Sequence, residues 1–293
     1  MEQLYDMHCH VGFAPAPAAL AAAGAQAGIA ALSCTVTPAE YERLHSGLSS
    51  VPNVAVALGA HPWWIADGRV GDADLNRFCE LAASARFIGE IGLDFAGPRD
   101  TAESRARQVA ALERILDTCN TSPAAPAYQG DAANGKATSA GVADGDDADA
   151  SDAESEGTAS KLISIHAVNA AGTVLDLLQK ANTLARHRVI LHWFSGTSDD
   201  LNRAVAAGCY FSVGPRMLAS RRGREYARQI PLDRLLLETD MPSCEGETLP
   251  ANIWRAELGN ALAGIAQLKN IDRDLLTEHL ATTSSALLGI PAI

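Results

Sequence analysis

The sequence predicts an α/β fold of the (β/α)8 barrel class, and three observations carry that prediction. Eight short apolar runs alternate with helical segments. Setting aside a low-complexity stretch of 41 residues leaves 252 of the 293, close to the roughly 250 residues of such a barrel. Histidines and acids recur at the ends of the apolar runs, where barrel enzymes assemble their sites.

The predicted strands are Leu4–Cys9, Ala30–Val36, Val54–Ala60, Phe87–Leu93, Leu162–Val168, Val189–Phe194, Cys209–Val213 and Leu235–Thr239. Their near-continuous apolar character points to a parallel sheet covered on its outer face. Helical patterns separate them, among them Ala102–Cys119, Ala171–Ala185, Leu201–Ala207 and Gly223–Gln229. Residues 120–160 consist largely of Ala, Gly, Ser, Asp, Glu, Thr and Pro. Such a stretch buries too little apolar surface to offset its ordering entropy, so it is expected to be a disordered acidic insertion. It joins a helix to the fifth strand at the rim opposite the catalytic face, and residues 1–293 otherwise read as a single barrel.

With 47% hydrophobic residues the chain can build a large core, which excludes disorder throughout. No run of eighteen apolar residues is free of polar interruption, and Met1–Asp6 carries acids rather than a basic leader, so neither a membrane span nor a secretory signal is expected. Cys9, Cys34, Cys79, Cys119, Cys209 and Cys244 are scattered, as suits reduced thiols in the cytoplasm. The insertion holds eight acids and one lysine, −7 of the formal −12, so the remainder at −5 can still present a local anion site.

His8 and His10 end the first strand in Asp6-Met7-His8-Cys9-His10, and a spacing of two puts both on one strand face, able to hold one metal. Glu90 lies inside the apolar run Ile88-Gly89-Glu90-Ile91-Gly92-Leu93-Asp94, where an ionised carboxylate needs a cation or a donor. His166, His192 and Asp240 each follow a later strand. One histidine after an apolar run is commonly a core residue. Four histidines and two acids in equivalent places on five strands point to a metal site.

These segments, with Gly59-Ala60-His61-Pro62-Trp63, His192-Trp193-Phe194-Ser195-Gly196 and Glu238-Thr239-Asp240-Met241-Pro242, resemble the TatD-type metal-dependent hydrolases. The motifs run in the family's order from residue 6 to residue 242. The resemblance implies a (β/α)8 barrel, two or three divalent ions, and phosphodiester hydrolysis, usually of DNA ends or oligonucleotides. It implies His8, His10, Glu90, His166, His192 and Asp240 as metal ligands, with Glu90 the bridging one. The chemistry makes Glu90 and Asp240 the catalytic candidates, Asp240 as ligand and general base in turn for a metal-bound water. Imidazoles and carboxylates suit zinc, manganese or magnesium. His61 and Asp94 are assigned to the substrate side. Capping the third strand is the alternative for His61, and orienting a ligand or a loop is the alternative for Asp94. No obligate protein partner is implied.

Two departures from the family pattern bear on the substrate. Val168 stands two residues after His166, where the family usually has an arginine, a natural phosphate partner. The loop Ser243-Cys244-Glu245-Gly246-Glu247-Thr248 is acidic and lacks the family's aromatic and Arg-Gly-x-x-Asn elements. Against these stand Arg216, Arg221, Arg222, Arg224 and Arg228 after the seventh strand; Arg216, on the catalytic side, is a candidate substrate contact and the others read as a solvated helix face. The alternative functions are an amidohydrolase-type enzyme of a small ester, lactone or amide, and an inactive binding barrel. Many amidohydrolases bridge their metals with a carbamylated lysine, whereas here the fourth strand offers Glu90 and Lys161 only begins the fifth.

Overall fold

The computed structural model describes residues 2–121 and 160–291. The strands are β1 (Leu4–Cys9), β2 (Ile29–Cys34), β3 (Val54–Ala57), β4 (Phe87–Asp94), β5 (Leu162–Val168), β6 (Arg188–His192), β7 (Tyr210–Val213) and β8 (Leu235–Leu237). The helices are α1 (Pro17–Gln26), α2 (Pro38–Gly47), α3 (Pro62–Ala66), α4 (Asp72–Ala82), α5 (Ala102–Thr121), α6 (Ala171–Lys180), α7 (Ser198–Ala206), α8 (Pro215–Ala219), α9 (Arg221–Gln229), α10 (Ala251–Lys269) and α11 (Arg273–Leu288).

All strand pairs are parallel, in the order β1-β2-β3 and β4 through β8. The two ladders meet where Leu58 N donates to Phe87 O and Gly89 N donates to Leu58 O, at 2.9 and 2.8 Å. On the other side Asp240 N donates to His8 O and His10 N to Met241 O, at 3.0 and 2.8 Å. The result is the eight-stranded TIM barrel that the sequence predicts. Interior and exterior cores are distinct. Tyr5, Met7, Leu32, Leu162, Ile190 and Leu236 pack together inside with Leu288 from the end of α11. Each large aliphatic side chain buried there contributes about 1.5–3 kcal/mol. Tyr5 Oη donates to Ile290 O, so the C-terminal turn closes the N-terminal end of the barrel.

Several strands stop earlier than their apolar composition suggests. The regular strands end at Cys34, Ala57, His192 and Leu237 rather than Val36, Ala60, Phe194 and Thr239. The residues beyond leave the ladder to build the rim at the C-terminal ends of the strands. Trp193 and Asp240 do so with φ of 40° and 57°, a left-handed backbone that Asp tolerates better than most residues. At the opposite rim α5 runs to Thr121, two residues into the stretch read as an insertion, held by Asn120 Nδ2 donating to Ala181 O at 2.8 Å. Residues 122–159 of the expected disordered insertion lie outside the described residues.

Candidate metal centre

Three local irregularities aim the site. In β1 the register shifts between Asp6 and Cys9. Asp6 and His8 share sequence parity, yet Asp6 reaches Trp254 of α10 while His8 faces the barrel mouth, as a bulge allows. In β4 the register shifts between Ile88 and Ile91, around Glu90. Gly92 follows with φ of 139°, and a Cβ there would lie 2.0 Å from His166 O. The Gly-Glu-Ile-Gly pattern is therefore a requirement of close packing of β4 on β5. After β8, the left-handed Asp240 turns its carboxylate back over His10, with Nε2 to Oδ1 at 3.2 Å.

Five imidazoles surround the Glu90 carboxylate, which is 1% exposed. His166 Nδ1 and His192 Nε2 lie 2.7 and 2.9 Å from Oε1, with His61 Nε2 at 3.3 Å. His8 Nε2 and His10 Nε2 each lie 3.4 Å from Oε2. Asp240 Oδ1 is 3.9 Å from His8 Nε2. The six residues expected as ligands thus converge. Three groups of donor atoms are close enough to hold an ion: His8, Glu90 and His192; His8, His10 and Asp240; and His61, Glu90 and His166.

Surrounding hydrogen bonds fix which nitrogen most of these rings present. Cys34 O accepts from His10 Nδ1 at 3.1 Å, leaving the Nε2 lone pair for the mouth. His8 Nδ1 contacts Ser164 Oγ at 2.7 Å, and its buried Nε2 has no hydrogen-bond partner among the described residues. His166 is turned the other way: Nε2 meets Asp94 Oδ2 at 3.0 Å and Nδ1 faces Glu90. His192 Nδ1 looks toward Glu238 Oε2 at 3.6 Å, a carboxylate that also accepts from Ser212 Oγ. Carboxylate or carbonyl backing of this kind sets the tautomer of a metal-binding histidine. The buried, partnerless His8 Nε2 and the nitrogen-and-oxygen donor set both fit divalent cations.

His61 does not fit as a ligand. Its Nδ1 accepts from Trp63 N at 3.1 Å and so caps α3, which begins with Pro62. Burial lowers its pKa, so the ring is neutral at pH 7 with its proton on Nε2, the nitrogen facing Glu90. His61 therefore caps a helix and offers a donor to the site.

Protonation follows the crowding. Burial pushes His8 down to about 4, helped by the neighbouring His192. Burial also disfavours charge on His10, but hydrogen bonds to Asp240 and Glu90 overcome it and raise His10 to about 10. Against the cost of burial, the imidazoles hold Glu90 well below the usual carboxylate range, and His10 does the same for Asp240. In the absence of metal, positive charge on His10 compensates the acids.

The centre opens into a cleft of about 940 Å³. Arg216 lies at its edge, Nη1 donating to Asp240 Oδ2 at 3.2 Å, with its guanidinium 5.8 Å from the Trp193 ring centre. Arg222, Arg224 and Arg228 bond instead to Ser195 O, Leu218 O and Glu225. Val168 lines the cleft, as do Arg69, Arg99, Trp63 and Trp64, which the motifs gave no reason to pick as contacts. Asp94 sits at the back, bonded to His166, Trp63 and Ala96 N, where it orients a ring. Ser164 and Glu238 are further supports missed in the sequence. Ser164 was findable, since it is two residues before His166 on one strand and so shares its face.

The family described as TatD related DNase matches residues 5–124 and 157–289, skipping most of the acidic stretch. Human deoxyribonuclease TATDN3 is 30% identical over 132 residues, 45% of this chain and 46% of that protein. The 3'-5' ssDNA/RNA exonuclease TatD of Escherichia fergusonii is 34% identical over 109 residues, 34% of this chain and 42% of that one. The chain thus spans less than half the length of these curated relatives. Among solved structures, the TatD homologue YJJV of Escherichia coli superposes with a TM-score of 0.73 at 19% identity, and a TatD family hydrolase of Entamoeba histolytica with 0.70 at 14%, each covering 98% of both chains. These likenesses show the barrel fold.

Proposed function

The chain belongs to the TatD related DNase family, and we propose that it is a divalent-metal-dependent phosphodiesterase acting on single-stranded DNA ends or oligonucleotides. The observation that carries this reading is the buried Glu90 carboxylate ringed by histidines, of which His8, His10 and His166 have their outer nitrogens hydrogen-bonded. His8, His10, Glu90 and Asp240 would hold one ion, and Glu90, His166 and His192 a second, with Glu90 shared. Zinc, manganese and magnesium suit these donors in decreasing order of nitrogen preference. When bound, two such ions supply Lewis-acid chemistry, acidifying water and neutralising charge on a phosphoryl oxygen.

The remaining work falls to the chain's own residues. Asp240 Oδ1 lies at the mouth, where a carboxylate can accept the proton of an attacking water. His61 Nε2–H and the free nitrogens of Arg216 can donate to phosphate oxygens at the cleft wall. Trp63 and Trp193, 42% and 37% exposed, present aromatic surface on which a base can stack. Lys161 takes no part: Nζ donates to Ala82 O and Ala85 O, both at 2.7 Å, away from the place of the bridging lysine of many amidohydrolases. No described helix is long and apolar enough to cross a membrane, and a cytoplasmic location fits the unpaired cysteines.

Hydrolysis of single-stranded DNA, a small activated phosphodiester and a small carboxylic ester, each with manganese, magnesium or zinc, tests the reading. Cleavage of both phosphodiesters and not of the ester is expected. Ester hydrolysis without phosphodiester hydrolysis would instead assign an amidohydrolase-type enzyme.

A further inference from the structure

Three arginines line the cleft, and two are each already hydrogen-bonded to a carboxylate. Arg69 donates Nε to Asp67 at 2.9 Å and pairs Nη2 with the same carboxylate at 2.8 Å, while Arg216 donates Nη1 to Asp240. Arg99 differs. It ends the short 3-10 turn Gly97–Arg99 that follows β4, with its guanidinium 4.5 Å from the centre of the Trp63 ring. Its Nε lies 3.3 Å from Asp94 Oδ1 without hydrogen-bond geometry, and among the described residues no acceptor is bonded to Nη1 or Nη2. Stacking and the ion pair fix the plane of the fork, and the side chain remains 29% exposed to the cleft. An arginine held this way has already lost the freedom that phosphate binding would otherwise cost.

The neighbouring strand offers no competing cation. Asp94 pairs in register with Val168, which is apolar and lines the same cleft. Asp94 also sets the spacing: Oδ1 faces Arg99 and Oδ2 faces His166. One carboxylate thus separates the guanidinium from the candidate metal ligands, so an anion held by Arg99 is not the one at the metal centre. Resting on the phosphodiesterase reading, we propose that Arg99 is a specificity-determining residue that grips the phosphate neighbouring the scissile linkage. It thereby selects a nucleic-acid strand over an isolated diester.

The test compares wild type, Arg99→Met, Arg99→Lys and Arg99→Met/Val168→Arg on a single-stranded oligonucleotide and on bis(p-nitrophenyl) phosphate, with manganese. Methionine keeps the contact with Trp63 and removes the charge. The ratio of kcat/KM for the oligonucleotide over the small diester should fall about tenfold in Arg99→Met, as expected for one charge-assisted hydrogen bond. Arg99→Lys should fall between, and the second arginine should recover part of the loss. An unchanged ratio in Arg99→Met overturns the proposal. Anisotropy with a fluorescein-labelled phosphorothioate oligonucleotide reads the same contact without turnover. Weaker binding by Arg99→Met, with no cleavage of either diester by wild type, supports Arg99 and removes the phosphodiesterase reading. Equal binding by the two proteins, or none by either, overturns Arg99 whatever wild type cleaves.

Discussion

Asp94 Oδ2 accepts from His166 Nε2 across 3.0 Å, and that contact turns His166 Nδ1 onto Glu90 Oε1, 2.7 Å away. Although burial opposes its ionisation, Asp94 is held at about 2 by hydrogen bonds from His166 and Trp63, so it is a carboxylate at every working pH. Asp94→Ala should therefore weaken metal binding about 10–100-fold, as loss of a ligand's orienting partner does elsewhere. Competition with a fluorescent chelator measures this. Wild-type affinity in the variant would mean that packing alone fixes the His166 ring.

Asp6 should matter for stability and not for ligation. Oδ1 accepts from His8 N and Thr239 N, and Oδ2 from Thr239 Oγ1 and Trp254 Nε1, tying β1 to the end of β8 and to α10. This bond set lies where the barrel closes. Asp6→Ala orphans buried donors at about 1–3 kcal/mol each, so urea unfolding should show a loss of at least about 2 kcal/mol. A midpoint unchanged from wild type would show that water or a neighbour replaces the carboxylate.

Metal affinity should rise with pH. Despite the opposing effect of burial, hydrogen bonds to Asp240 and Glu90 raise His10 to about 10, so at pH 7 the metal-free ring is protonated. His8, lowered to about 4, is already neutral. A metal must displace the His10 proton, so affinity grows as pH climbs toward about 10 and falls on acidification. Calorimetry of manganese binding in buffers of different ionisation enthalpy should show net proton release at pH 7. Binding without proton release would contradict the protonation assigned to His10.

Much of this was readable from sequence because a barrel strand carries its chemistry at its end. The eight apolar runs located the strands, and His8, His10, Glu90, His166, His192 and Asp240 stood at equivalent places along them. Other features depend on contacts between distant segments. Arg99 lies five residues beyond Asp94 in a turn with no periodicity, and only the fold stacks it on Trp63. Glu238 reads as one acid in a motif until β6 brings His192 beside it. His61 had two readings, phosphate contact or cap; the capping bond is present, and its other nitrogen faces the site. The β1 bulge was hidden too, because strict alternation would have put Asp6 on the same face as His8.

The central claim is that the ring of histidines around Glu90 is a metal centre. Elemental analysis of wild type and His8→Ala/His10→Ala, each dialysed against the same manganese or zinc buffer, tests it most directly. Wild type should retain two ions per chain, and the double variant should lose at least one while its circular dichroism spectrum stays that of a folded barrel. Full occupancy in the folded double variant would contradict the assignment.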